Sequence, residues 1–521
     1  MDPDDRSEPT TLRDEERDRI EQLEAALVDP ALAGQVEMVL SRAGRDRYRA
    51  AAVDGSVTFV RHDDGGTYSY ERAEVAGRDP LADQATDRFV GHDTERAAPF
   101  PTRTANAYPH AFDSIAQFFD GPHAPDLVAL HTAGHHFDDH LGQHGSLGVV
   151  QARAPFLAAG RGVRALGPVE RSTRTVHVAP TIAALLDLDP HPEGVGPTGE
   201  RRADARLRRQ DGDPEAAILD GERADHVVVF LLDGCNANLL HDVMAAGEAP
   251  NLSALAARGT DYVHGMMASL PTATLANHTT AVTGAHPGHS GVLHNRWHDR
   301  ARGLTPDLLA MEQMIVAMRH LDPRVETLFQ AVSRSRPDAW STATFEFCDT
   351  GAGFSSFGLL RDGASPGLPV GEDIPHVDPE AVEASSAYGF MSTVDHLSAS
   401  HTIAAWQQVE GNPLPTLSWC SLALTDEAGH ESGPHGAAAR AAVRDSDGRI
   451  GDVLAAVEAA GALDRTAVLV IADHGMEQND PANSGSWGPH LADCGIEHLE
   501  VEGFLYLAEA QSGAHVGSTS G

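Results

Sequence analysis

The sequence contains no lysine. All 38 basic residues are arginine, set against 76 Asp and Glu, and the formal net charge is -38. A surface that acidic repels phosphate backbones, which argues against a nucleic-acid duplex as a main partner. Abundant carboxylate without lysine also matches adaptation to high salt, with a GC-rich genome as the other reading. Cysteine is scarce: Cys235, Cys348, Cys420 and Cys494 are scattered and form no C-x-x-C pair. That excludes a disulfide framework and a thiolate zinc site. No apolar run reaches the ~18 residues needed to span a bilayer, and the acidic N-terminus lacks an apolar signal region. A cytoplasmic protein without membrane association is expected. Internal repeats and low-complexity tracts are also missing. Length allows about three domains, or one large α/β domain with insertions.

What is present centres on Asp233–Asn295. The run HVVVFLLDG, His226 to Gly234, is rich in β-branched residues and ends in an acid and a glycine. It predicts a buried parallel strand delivering Asp233 to its carboxyl end, where sites in α/β sheets lie. About forty residues on, Thr274 stands just ahead of a stretch able to enter a helix, whose N-terminus stabilises anions. An acid and a hydroxyl so placed suggest a metal-activated nucleophile acting on an anionic ester. Two more predicted strands end in acids. Thr416–Leu424 leads to Asp426 and His430, four apart and so on one helical face. Thr466–Ala472 leads to Asp473 and His474, adjacent residues that share a site only if the backbone turns sharply, with Gly475 permitting it. Carboxylate oxygen with imidazole nitrogen suits Zn²⁺. Each of these features alone has a plain structural reading: Thr274 as a helix cap, Asn295 as a turn residue, Asp-His-Gly as a strand-end turn.

Together they resemble the alkaline phosphatase superfamily, most closely its nucleotide pyrophosphatase/phosphodiesterase branch. That pattern is a strand ending in Asp-Gly, then P-T-x-T-x-x-N-H, then T-G-x-x-P, then H-G-x-x-x-N. Here it reads Asp233-Gly234, Pro271-Thr272-Ala273-Thr274-Leu275-Ala276-Asn277-His278, Thr283-Gly284-Ala285-His286-Pro287, and Ser290-Gly291 leading to Asn295. Ser290 replaces the usual His, with His289 one residue earlier. Leu275 replaces a Phe that usually lines a nucleotide base. The resemblance implies an α/β three-layer sandwich, with a mostly parallel sheet flanked by helices and a small cap near 300–415. It implies Thr274 as nucleophile, forming a phosphothreonine, and Asn295 as donor to a phosphoryl oxygen. It implies two zinc ions, with manganese or another divalent metal open. One is held by Asp426, His430 and His144, the other by Asp233, Asp473, His474 and the Thr274 oxygen. Asn277 and His278 read as scaffold shaping the turn.

His144 enters by an unusual route. In the family, a G-x-H-G segment, an apolar strand ending in Gly-x-Gly and a helix beginning APTIA-x-LL close the domain. Here those pieces lie in 135–190 and come first. The expectation is a circularly permuted domain: a disordered tail 1–20, the family's C-terminal portion at 21–197, a polar linker 198–223, its N-terminal portion at 224–509, and a second tail 510–521. The alternative is an unrelated N-terminal domain, with the last ligand from His490 or His498. His131, His135, His136 and His140 read as loop or supporting histidines. Locally, a helix is predicted within Arg19–Leu40, a strand pair within 48–72, a helix from Pro109 to Phe119, a strand at Pro125–Gly134 and a helix at Ala437–Ala460.

The expected activity is hydrolysis of a small phosphodiester or nucleotide pyrophosphate. A phosphomonoesterase is the nearest rival; it needs an added cation, for which Arg296 beside Asn295 is the candidate. A phosphonate hydrolase shares the ligand set, but relatives hold its carboxylate with lysines. A sulfatase needs a C/S-x-P-x-R motif that no cysteine here provides, and a metal-dependent phosphomutase is the non-hydrolytic alternative.

Overall fold

The strand His226–Leu232 is buried along its whole length, as an unalternated apolar run requires when both sheet faces are covered. It lies inside an eight-stranded sheet. In spatial order the strands are Phe354–Ser355, Ser341–Thr344, Leu417–Leu422, His226–Leu232, Thr466–Ile471, Phe156–Gly160, Gly259–Tyr262 and Gly167–Val169. The first five are mutually parallel, with Val227 opposite both Leu417 and Ala467. Phe156–Gly160 is antiparallel to both neighbours. It comes early in the chain, yet lies between strands that follow residue 258. This computed structural model describes residues 14–365, 367 and 374–508.

A second sheet is antiparallel throughout, in the order His498–Val501, Phe504–Leu507, Leu127–His131, Val36–Gly44, Arg47–Ala52, Gly55–Asp63 and Tyr68–Gly77. The pair expected within 48–72 is thus part of a four-stranded meander. Its apolar face joins Phe112, Ile115 and Phe118 of the helix Ala111–Phe118, and Leu275, Val292 and Trp297 from the far side of the chain, in one buried cluster.

Helices surround the first sheet in two packed groups. Ser386–Trp406, Leu424–Ser432 and Ala437–Ala459 pack together, the first also against Leu417–Leu422. Thr274–Thr283, Val178–Leu185 and Leu328–Ser335 form another group. The α/β class is therefore the one expected.

Three local expectations change. The first helix is Asp14–Leu27, beginning inside the expected tail, whose residues 1–13 lie outside the described residues, as does the tail 510–521. It ends at Leu27, because Asp29 caps a new turn at Pro30 and a proline lacks the N–H a helix needs. Residues 300–415 contribute more than the expected cap. They supply the strand Ser341–Thr344 to the main sheet, and the helix Ser386–Trp406 beside it. That strand was hidden because it is polar: its hydroxyls are satisfied inside, Thr342 with Ser418 at 3.0 Å and Thr344 with Thr402 at 2.9 Å. The segment 198–223 packs onto the body, with Leu207 and Ile218 fully buried. Asp211 within it is paired, bonding Arg209, His289 and the backbone of His286.

Candidate active site

Four adjacent parallel strands end in acids at one edge of the main sheet. Asp233 follows Leu232 directly. Asp473 and Glu346 each come two residues after Ile471 and Thr344, and Asp426 lies in the first turn of Leu424–Ser432, which succeeds Leu422. Such an edge is where a parallel sheet gathers side chains from separate stretches of sequence.

The histidines complete the cluster. His430 Nε2 is 3.4 Å from Asp426 Oδ2, one helical turn away. His144 Nε2 lies 3.2 Å from His430 Nε2 and 3.8 Å from Asp426 Oδ1. Beside them, His474 Nε2 is 3.1 Å from Asp473 Oδ2 and 3.9 Å from Asp233 Oδ1. Thr274 opens the helix Thr274–Thr283, its hydroxyl 3.4 Å from His474 Nε2. The expected residues Asp233, Thr274, Asp426, His430, Asp473, His474 and His144 thus meet. Neither His490 nor His498 belongs to any metal-capable group among the described residues.

Two glycines make the approach possible. Gly234 has φ 58°, and a Cβ there would stand 2.2 Å from Asp426 Oδ1. Gly475 does not serve by a left-handed turn. A Cβ on it would meet the Val150 and Arg153 carbonyls at 2.3 and 2.5 Å, so its role is close packing of the backbone.

Electrostatically the buried acids outnumber the cations beside them; against its burial, His278 is raised well above the usual histidine range by Glu346 and Asp233. Burial, and then the Asp473 and Asp426 charges, push Asp233 up to about 7. Burial pushes Asp473 up to about 6. Burial also holds His144 well below the usual histidine range and lowers His474, leaving neutral rings. Against its burial, His430 is raised to about 9 by Asp426. Asp233 Oδ1, Asp426 Oδ1 and Asp473 Oδ2 are buried without hydrogen-bond partners, a costly state that a divalent cation relieves. The rings are oriented for it. The Nδ1 atoms of His144, His430 and His474 sit 2.8, 2.8 and 3.0 Å from the carbonyls of Thr272, Gly142 and Gly475, which turns each Nε2 inward.

Asn295 Oδ1 accepts the Leu275 N–H at 3.0 Å, and among the described residues its Nδ2 has no acceptor. Asn277 pins the loop before the helix, bonding both the N–H and the carbonyl of Ser269, as scaffold should. Two expected substrate contacts are corrected. The Leu275 side chain is fully buried in the second apolar cluster, because the helix face it occupies turns toward the antiparallel sheet; only its N–H serves the site. Arg296 is held by Asp307 at 2.8 Å and Glu502 at 3.3 Å. His289 is bound by Asp211 and Asp120, away from the acids.

Two site residues were missed. His278, read as scaffold, brings Nε2 to 3.5 Å from Asp233 and 4.0 Å from Asp473. Its spacing from Thr274 is the same i, i+4 that marked Asp426 and His430. Glu346, fully buried, bonds His278 Nδ1 at 2.8 Å. The short strand before it was the signal, obscured by its hydroxyl residues.

The sequence pattern of type I phosphodiesterases/nucleotide pyrophosphatases matches residues 227–517, more than half of the chain. The chain belongs to this family. Asp233, Thr274, Asn295, Asp426, His430, Asp473 and His474 lie inside the family match, and His144 lies outside it. Ectonucleotide pyrophosphatase/phosphodiesterase family member 1 of mouse and of human are each 24% identical over 251 residues, 48% of this chain. The chain spans about a quarter of their length, 24% and 23%. Among solved structures, inactive murine ectonucleotide pyrophosphatase/phosphodiesterase 5 in complex with AMP aligns at 18% identity, over 49% of this chain and 58% of its own, with a TM-score of 0.32. Phosphonoacetate hydrolase from Sinorhizobium meliloti 1021, in complex with phosphonoformate, aligns at 20% identity over the same shares, also with a TM-score of 0.32. Among the described residues no helix is long and apolar enough to cross a membrane.

Proposed function

We propose that this chain is a metal-dependent phosphoric ester hydrolase, cleaving a small phosphodiester or nucleotide pyrophosphate through Thr274. The observation that carries this is Thr274 at a helix N-terminus, 3.4 Å from His474 Nε2 and facing a cluster of buried acids with unpartnered oxygens. Two divalent cations fit the donor set, zinc by ligand type. Asp426, His430 and His144 would hold one, and Asp233, Asp473, His474 and the Thr274 oxygen the other. Bound there, such cations supply Lewis acidity and favour ionisation of a hydroxyl at neutral pH.

The chain's own part follows. Thr274 Oγ1 bonds to phosphorus as the bond to the leaving oxygen breaks, giving a phosphothreonine. A water oxygen then displaces Oγ1 and regenerates the hydroxyl. Asn295 Nδ2, with its Oδ1 tied to Leu275, is the side-chain donor for a non-bridging oxygen. Arg296 is engaged by Asp307 and Glu502, which disfavours a monoesterase in which it would neutralise the extra charge. Leu275 offers no surface to a nucleobase, so the reading rests on the phosphoryl group.

The same reading takes the domain as circularly permuted, with 21–197 the closing portion, 198–223 the bridge and 224–509 the opening one. It is supported by His144 joining Asp426 and His430, by Phe156–Gly160 lying inside the main sheet, and by the first and last described segments meeting: Arg19 Nη1 donates to the Ala508 carbonyl at 3.0 Å.

Thr274→Ala should lower turnover of bis-p-nitrophenyl phosphate by about a thousandfold or more while bound metal stays unchanged. Activity within tenfold of the unsubstituted protein would remove Thr274 from its role. Parallel assay of p-nitrophenyl phosphate decides between diester and monoester.

A further inference from the structure

We propose that the cleft between the strand Val36–Gly44, the stretch 193–209 and the turn Pro287–Ser290 binds an oligophosphate, a small anion carrying two or more linked phosphoryl groups. The cleft shares no residue with the acid cluster and does not depend on the metal reading.

Four observations carry it. First, the space is there. The cleft has a volume of about 800 Å³, within the roughly 300–1,000 Å³ of small-molecule sites. Second, its wall is cationic in a chain that is not. Arg42, Arg208, Arg209 and Arg324 line it with His289, although acids outnumber basic residues 76 to 38 in the whole sequence. Against burial and the charge of Arg209, Asp211 and Asp120 raise His289 above its ordinary value, so the ring adds to that wall. Third, the acids along the wall are already engaged. Asp120 accepts from Arg61 at 2.6 and 2.9 Å and lies 3.1 Å from His289 Nε2. Glu193 is held by Arg208 at 3.2 Å. Fourth, the arginines keep donors in reserve. Arg324 gives Asp322 its Nε and Nη2, while Arg209 gives Nε to Asp211 and Nη2 to the Pro197 carbonyl. Neither Nη1 has an acceptor among the described residues. Arg42 gives only Nε, to the Gly44 carbonyl, and forms no ion pair among the described residues.

A guanidinium stays charged at any working pH, and its fork of N–H groups matches phosphoryl oxygens. Such groups drawn from three separate stretches of chain suit an anion with several charged groups rather than one. The wall is also formed before a ligand arrives. Arg61 sits over the Tyr68 ring at 4.3 Å and is tied to Asp46 and Asp120, which fixes Tyr68 and Asp120 in place. Little ordering is then left to oppose binding.

The test uses the full chain with chelator present, so that the acid cluster holds no metal and repels anions. Calorimetry with tripolyphosphate should give one binding event per chain, and Tm should rise with ligand concentration, as mass action requires. Arg42→Ser breaks no ion pair and should weaken that binding by about tenfold or more. Arg324→Ser, at an exposed position, should do the same, and both variants should melt within about 3 °C of the parent. ATP should bind within about tenfold of tripolyphosphate, because the phosphoryl chain is what is held, whereas citrate should bind at least about tenfold more weakly. No binding to the unsubstituted chain, unchanged affinity in both variants, ATP binding without tripolyphosphate binding, or citrate binding as tightly as tripolyphosphate would each overturn the proposal.

Discussion

Asp233 and Asp473 sit where an acid is uncomfortable without a cation, and this has a direction in pH. Their folded values, about 7 and about 6, lie above those of an exposed aspartate. In the metal-free protein they therefore contribute stability below about pH 4, which is lost as pH rises through 6 and 7. Metal binding must displace those protons, and also the proton that Asp426 holds on His430 up to about 9. The rise in Tm on adding zinc to the chelated protein should therefore grow steadily from pH 5 to pH 8. A constant or shrinking increment would show that these groups do not meet the metal. At the same scale, Gly234→Ala forces a methyl against Asp426 at a left-handed φ. It should cost about 1–3 kcal/mol of stability and lower bound zinc, measured by thermal melting and metal analysis.

At the scale of elements, the informative case is 198–223. Gly, Pro and charge dominate this stretch, and composition of that kind reads as a free tether. In the fold, Ile218 and Leu207 are fully buried, and Asp211 is bonded to three partners. Ile218→Ala should then cost about 2–5 kcal/mol, as a core truncation does; a loss below about 0.5 kcal/mol in denaturant melts would return the segment to tether status. The same logic explains the strand Ser341–Thr344. Its residues Ser, Thr, Ala and Thr carry little hydropathy, so their place in the sheet is decided by hydroxyl partners on Ser418 and Thr402 that no local pattern reveals. With that strand hidden, Glu346 could not be read as a strand-end acid. His278 lies within reach of local reading, because its i, i+4 relation to Thr274 is local; its place beside Asn277 suggests scaffold instead.

For the whole molecule, early and late described segments share one antiparallel sheet, which holds both Val36–Gly44 and Phe504–Leu507, and Arg19 bonds the backbone of Glu497 and Ala508. A reordered chain is therefore feasible, beginning near residue 224, running to 508, joined by a short linker to residue 14 and ending near 223. It should fold, take up the same two equivalents of zinc and melt within about 5 °C of the parent, since the contacts are unchanged and loop closure varies only slowly with length. Failure to bind metal in a folded reordered chain would reject the permuted arrangement.

Residues close together in the chain specify the strands that bury both faces, the acids placed at their ends, and the pairs one helical turn apart. All of these depend on neighbours within about ten residues, where backbone geometry dictates which side chains point together. The sequence also carried the family. Tertiary structure alone decided that Leu275 turns into the apolar cluster, that Arg296 is neutralised by Asp307 and Glu502, and that Glu346 reaches His278 across 68 positions. Those outcomes depend on which surfaces and charges the packed sheets bring into contact, and a buried polar atom takes whichever partner lies within reach once water has been excluded.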